Sequence, residues 1–388
     1  MEFKGVDFYN TDSLLTEEEL MVRKMVREFV DKEVMPIIND YYERSEFPMF
    51  LISKMGELGL YGANIEGYDC AGLNNIAYGL IMQELERGDS AIRSFVSVQS
   101  GLVMYPILEY GNEEQKKYYL PKLAQGKLIG CFGLTEQDYG SNPGGLITTV
   151  RKDNKHYIIN GEKMWITNGT IADIAIVWAK DENGVINGFI VEKGTPGFTA
   201  ISIKKKISLR ASDTAELVFE DCKIPIENHL PKAVGLKAAL KCLSQARYGI
   251  AWGAIGAAMA CFDEALRYAK TRIQFDKPIA SFQLVQNKLV YMLTEITKAQ
   301  LLCIQLGRLK DKKLANHVHI SLAKRNNVEI ALKISRMARD ILGASGITLE
   351  YNSMRHMCNL ESVYTYEGTH DIHTLIIGAD ITGIESYK

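Results

Sequence analysis

The chain has 388 residues, 47% hydrophobic and 24% charged, so it can bury a large core and divide into two or three domains. Its 45 basic and 47 acidic residues leave a net charge of -2. Lys and Arg are scattered and not striped, which argues against nucleic acid as a partner, since many phosphates would have to be neutralised.

From the N-terminus, MEFKGVDFYN has neither a basic start leading into an apolar stretch nor an Arg-rich amphipathic helix, so no targeting segment is expected. The expected location is cytoplasmic, or the mitochondrial matrix for a processed eukaryotic form. Thr16 and Glu19 make a capping box. Val22, Met25, Val26, Phe29, Val30 and Val34 then keep a 3.6-residue apolar period up to Pro36. The stretches 51–60, 76–87 and 113–123 continue in that style, predicting a helical domain over 1–130.

The next block changes character. HYIING, ADIAIVWA, NGFIVEK and AELVFED alternate β-branched and aromatic residues, punctuated by Asn-Gly at 160, 168, 183 and 187. Asn-Gly is a strong hairpin signal because both residues tolerate positive φ, so a β domain is expected over 131–232. Helical periodicity returns from Gly235 and predicts a bundle of long helices over 233–388. The fold class is therefore α+β multidomain, with helical, β and helical domains in order.

Several chemistries lack their signatures. No G-x-G-x-x-G follows a strand, and there is no Walker A and no G-x-S-x-G elbow. Gly249, Gly253 and Gly256 share one helix face and read as close helix packing. The histidine pairs 317/319 and 370/373 have no carboxylate framework for a metal, so they read as solvated or core-edge residues. The seven cysteines, at 70, 131, 222, 242, 261, 303 and 358, show neither disulfide-like nor zinc-like spacing and read as reduced thiols. The apolar run 249–262 is too short to span a bilayer, so no membrane association is expected.

In TYEGTHDIHT (365–374), one carboxylate, Glu367, stands beside a Gly-Thr turn ahead of an apolar helical run. Locally it reads as a charge cap on the helix. Burial would raise its pKa and the positive helix end would lower it.

CFGLTEQDYGSNPGG (131–145), MWITNG (164–169), SLRASDTAELVFEDCKIP (208–225), RYGIAWG (247–253), RIQFDKPIASFQLVQ (272–286), ILGASGI (341–347) and YEGTHDIH (366–373) together resemble the acyl-CoA dehydrogenase family. Seven ordered motifs cover almost the whole chain. ELERGDSAIRSFVSVQS, QLGRLKD and TYEGTHDIH look most like the family's glutaryl-CoA branch.

The resemblance implies FAD as cofactor, an acyl-CoA substrate (glutaryl-CoA), electron-transfer flavoprotein as electron acceptor, and a homotetramer. It makes Glu367 the base for the α-proton, with the backbone at Glu367 and Gly368 close to the thioester. Phe132, Leu134, Thr135, Trp165, Ile166 and Thr167 match flavin-lining positions. Arg272, Gln283, Gly343 and Thr369 match further FAD contacts. Ser141, Arg247 and Tyr248 match CoA-binding positions. Arg93, helped by Ser94 and Ser97, matches the group that holds a distal carboxylate, in a network with Glu86 and Tyr366 that implies decarboxylation to crotonyl-CoA and CO2. From local sequence alone Arg93 could equally be a surface residue at a helix start, and Glu86 a surface charge paired with Arg87 or Arg93.

Overall fold

The computed structural model describes residues 3–386. Its first part contains α1 (Glu17–Phe29), α2 (Ile38–Arg44), α3 (Leu51–Glu57), α4 (Asn75–Gly88), α5 (Ser90–Ser97), α6 (Tyr105–Tyr110) and α7 (Glu113–Ala124). The Thr16 box forms: the Glu19 amide donates to Thr16 Oγ1 at 3.2 Å, and the Thr16 amide donates to Glu19 Oε2 at 2.8 Å. A π-helical turn, Val30–Val34, carries α1 on towards Pro36. A second one, Val98–Met104, joins α5 to α6 in a rod that periodicity did not predict. Nearly every residue of that rod is buried, so it has no polar face to give it a period.

The middle part is a mixed sheet of β1 (Gly130–Gly133), β2 (Thr149–Asp153), β3 (His156–Thr167), β4 (Ile174–Lys180), β5 (Ile186–Glu192), β6 (Phe198–Ser202), β7 (Thr214–Pro225) and β8 (His229–Val234). The strands run in the order β6-β7-β3-β2-β4-β5-β8, with β1 parallel to β4.

Of the four Asn-Gly pairs, only Asn183-Gly184 makes a hairpin, between β4 and β5. Asn160-Gly161 lies within β3 at a bulge against β7. There a Cβ on Gly161 would come within 2.6 Å of Thr148 Oγ1, so the glycine serves close approach and not a turn. Gly188 likewise lies inside β5, where its Cβ would stand 2.9 Å from that of Ala233. Asn168-Gly169 ends β3, but the next strand, β4, pairs with β1, β2 and β5 and not with β3.

The last part holds α8 (Leu236–Thr271), a small ribbon of β9 (Ile273–Gln274) and β10 (Lys277–Pro278), then α9 (Gln283–Asp311), α10 (His317–Ile341), α11 (Ser353–Thr365) and α12 (His370–Thr382). The ribbon turns at Phe275 and Asp276, with φ of 51° and 61°.

Small residues let α8 lie against α4. A Cβ on Gly256 would fall 1.8 Å from the Gln83 carbonyl oxygen, and one on Gly79 would fall 2.3 Å from the Trp252 ring. The Gly256 contact is with backbone, which cannot swing aside. Gly256→Ala is therefore expected to destabilise the fold by about 1–3 kcal/mol, read as a lowered Tm.

The stretches Ser90–Tyr110 and Leu236–Thr271 are long and apolar enough to cross a membrane, which the reading of a single shorter run overlooked. Of their apolar windows, 89% and 78% respectively is buried inside the protein, as in core helices.

Candidate active site

Five pieces of chain converge on the Glu367 turn: the end of α4, the start of α5, the first half of α8, the first third of α10, and the turn itself between α11 and α12. Thr369 ends that turn as N-cap of α12, its Oγ1 accepting from the Ile372 amide at 3.2 Å. Glu367 and Gly368 both adopt positive φ, 56° and 92°. At Gly368 a Cβ would stand 3.2 Å from an Arg247 guanidinium nitrogen, so the glycine also gives room.

Three cations surround the turn. Arg247 Nε donates to the Glu367 carbonyl at 2.6 Å, and Lys324 Nζ donates to the Tyr366 and Gly368 carbonyls at 3.0 and 2.8 Å. Arg93 donates through Nη2 to the Tyr366 hydroxyl. The Glu367 Oε2 is itself buried and accepts no hydrogen bond. Burial pushes the Glu367 carboxyl up to about 7, with Arg247, Lys324 and Arg93 pulling the other way. Burial likewise brings Lys324 down to about 7, helped by Arg247 and opposed by Glu367.

Arg93 is 1% exposed and Glu86 fully buried, so neither is a surface charge. Arg93 Nε donates to Glu86 Oε2 at 2.6 Å, and Ser90 Oγ donates to Glu86 Oε1 at 2.8 Å. Arg87 turns elsewhere, to Glu84 and Asp31. Burial opposes the charge on Arg93, but Glu86 and Tyr366 outweigh it and raise its pKa, so the guanidinium stays charged. Its Nη1 makes no hydrogen bond to a described residue. Gly253 makes space for the ion pair, since a Cβ there would fall 1.9 Å from Glu86 Oε2. Ser94 and Ser97 are buried beside Arg93 on α5.

A second group lies on the sheet. Phe132 and Leu134 are buried, and the Thr135 carbonyl accepts from the Met164 amide at 2.8 Å, stitching this loop to β3. A register shift between Lys163 and Ile166 puts Trp165 at φ 65° and leaves it 61% exposed, while Ile166 points into the core. Taken alone, a tryptophan in a strand reads as core; this one lies outside it. Its open indole with the Thr135 and Thr167 hydroxyls suits a planar heterocycle with polar edges.

Arg272, Gln283 and Gly343 occupy three exposed helix ends, and no hydrogen bond among the described residues joins them to the Glu367 group. Ser141 is exposed on the loop after β1. Tyr248 is fully buried, and its hydroxyl donates to the Asn75 carbonyl at 2.7 Å, so it does not join Glu367. With Tyr78, Ser100, Gln245 and Lys310 it lines a cavity of about 230 Å³.

Three members of the site were not read from the sequence. Lys324 looks like any lysine on a helix, yet it is 1% exposed. Lys163 donates to Glu136 Oε1 at 2.8 Å and to the Leu134 carbonyl at 3.2 Å, bracing the loop under Phe132. His373, expected at the core edge or in solvent, is fully buried and makes no hydrogen bond through either ring nitrogen; burial, Lys324 and Arg247 bring it down to about 2 and keep it neutral. His370 stacks on Tyr364 with ring centroids 4.6 Å apart. Among the described residues no cluster of His, Cys, Asp and Glu could hold a metal ion, and all seven cysteines are unpaired.

Comparison with known proteins finds matches along nearly the whole chain. The profiles for the acyl-CoA dehydrogenase N-terminal, middle and C-terminal domains match residues 16–127, 131–222 and 233–382. A Mycobacterium smegmatis glutaryl-CoA dehydrogenase solved with FADH2 superposes with a TM-score of 0.97 at 49% identity, covering 99% of each chain. A butyryl-CoA dehydrogenase from Megasphaera elsdenii gives a TM-score of 0.91 at 34% identity, over 95% of this chain and 99% of that one. An acyl-CoA dehydrogenase of Bacillus subtilis is 39% identical over 95% of this chain and 99% of its own. The protein thus belongs to the acyl-CoA dehydrogenase family, FAD-dependent oxidoreductases acting on the CH–CH bond of acyl-CoA thioesters.

Proposed function

We propose that this dehydrogenase oxidises glutaryl-CoA and decarboxylates it to crotonyl-CoA and CO2. The observation that carries the reading is the buried Glu86–Arg93–Tyr366 network, which reaches the turn bearing Glu367. A buried guanidinium is costly in an acyl pocket unless a carboxylate meets it. Glu86 supplies one partner, and the free Nη1 can take a second from the distal end of a dicarboxylic chain, with Ser94 and Ser97 alongside.

Glu367 removes the α-proton as general base, and the amide at Glu367 polarises the thioester oxygen. Bound FAD, with its flavin held by Phe132, Leu134, Thr135, Trp165, Ile166, Thr167 and Thr369, would supply the acceptor for the hydride that leaves the β carbon. The C–CO2 bond then breaks, its electron pair stays on the chain as a dienolate, and the protonated Glu367 returns its proton to the γ carbon.

Phe132, Leu134, Thr135, Trp165, Ile166, Thr167 and Thr369 would hold the flavin. Arg272, Gln283 and Gly343 would hold the rest of FAD across a subunit boundary, an arginine fork suiting its pyrophosphate. Exposed Ile273, Phe275 and Leu284, at 51%, 86% and 80%, favour a partner subunit covering that end, in a homotetramer. Ser141, Arg247 and Tyr248 would serve CoA, Tyr248 through the packing behind Arg247. Electron-transfer flavoprotein is the proposed acceptor and the cytoplasm the proposed location.

A short-chain monocarboxylic substrate is the competing reading, supported by rat and human relatives named for short chains at 36% and 35% identity. Dehydrogenation of glutaryl-CoA without decarboxylation is the other.

The ionised form of Glu367 is the active one, and its carboxyl lies at about 7. Accordingly kcat/KM should fall about tenfold per pH unit below about pH 7. A pH–rate profile checks this, and activity that holds steady down to pH 5 would refute the assignment.

A further inference from the structure

We propose that Lys324 is a positioning residue for Glu367: its Nζ ties together the carbonyls on either side of that residue and so fixes the direction in which the carboxylate leaves the turn. The proposal rests on reading Glu367 as the base. Three successive carbonyls, those of Tyr366, Glu367 and Gly368, each accept from a buried cation, and Lys324 serves the outer two at 3.0 and 2.8 Å. Glu367 has φ 56°, a left-handed conformation disfavoured for a residue with a side chain. Such a conformation persists only where the surroundings over-determine it. One ammonium gripping both flanking carbonyls is such a restraint, and it anchors the turn to the first third of α10 and not to its own flanking helices.

The same ammonium adds to the field at the carboxylate. Facing this spot are Arg247 and the Cys242 thiol from α8, Arg93 with its partner Glu86 from α5 and α4, the Tyr78 hydroxyl from α4, the Tyr366 hydroxyl in the turn, and His370 and neutral His373 from α12. Lys324 is one of three cations favouring the ionised carboxylate. Without it, Glu367 would hold its proton to higher pH.

The test measures kcat/KM against pH for FAD-loaded Lys324→Met and Lys324→Gln, using whichever acyl-CoA the parent oxidises, with Tm and flavin content recorded in parallel. The expected result for Lys324→Met is a plateau lower by about 10- to 100-fold and an acid limb moved up by roughly one pH unit. Lys324→Gln, which keeps an amide donor but no charge, should recover part of the plateau and none of the limb; it also carries the test should the Met variant not fold. Plateaus within twofold of the parent, or an acid limb left where the parent has it, would overturn the proposal. Glu367→Gln serves as the control: full activity there would overturn the base assignment itself, a different outcome from failure of the Lys324 prediction alone.

Discussion

Replacing Glu367 by Gln is expected to lower kcat/KM by about 10²- to 10⁴-fold and to abolish the acid limb of the pH profile. The fold should not suffer. Folding raises this carboxyl from the ordinary carboxylate range to about 7, chiefly by burial, so the native state disfavours the ionised form. That cost to stability is absent at low pH, where the group is protonated whether folded or not, and grows as pH rises past the unfolded value until the folded group ionises too. Gln carries no charge, so Tm of the variant above pH 7 should equal or exceed that of the parent, while the rate collapses. Loss of activity accompanied by a large drop in Tm would mean that Glu367 matters for structure and not for proton transfer.

Arg93→Ala should fail in two separable ways. It leaves Glu86 as a fully buried, unpaired charge, and breaking a buried pair from one side costs about 3–5 kcal/mol. It also removes the proposed anchor for the distal carboxylate, a charged hydrogen bond of about 1.5–3 kcal/mol, or roughly 10- to 100-fold in kcat/KM. The second loss should fall on glutaryl-CoA and spare butyryl-CoA. Combining Arg93→Met with Glu86→Gln separates them: melting should recover with no charge left to strand, while the preference for glutaryl-CoA stays lost. Equal losses for both substrates in the double variant would remove Arg93 from substrate choice.

The helical, β, helical order was legible because two periods, 3.6 and 2, change over near residues 130 and 235, and because Thr16 and Glu19 announce their cap. The 90–110 rod was not legible, since a helix buried on all sides carries no period. Asn-Gly misled at 160, 168 and 187 for a related reason: the pair signals tolerance of unusual backbone or close contact, and a hairpin is only one use of that tolerance. Glu367 could be singled out from its place before a helix and beside Gly368. The convergence of Arg93, Arg247 and Lys324 on its turn from three other helices is tertiary, and local sequence does not carry it. Local sequence likewise left Arg93 and Glu86 open between pocket and surface, and their burial excludes the surface.

Anaerobic mixing of the FAD-loaded protein with glutaryl-CoA, following loss of the yellow flavin absorbance and identifying the acyl product by mass, tests the central proposal most directly. Bleaching with formation of crotonyl-CoA is the predicted result. Glutaconyl-CoA as the final product would contradict decarboxylation, and bleaching by butyryl-CoA with none by glutaryl-CoA would contradict the substrate assignment itself.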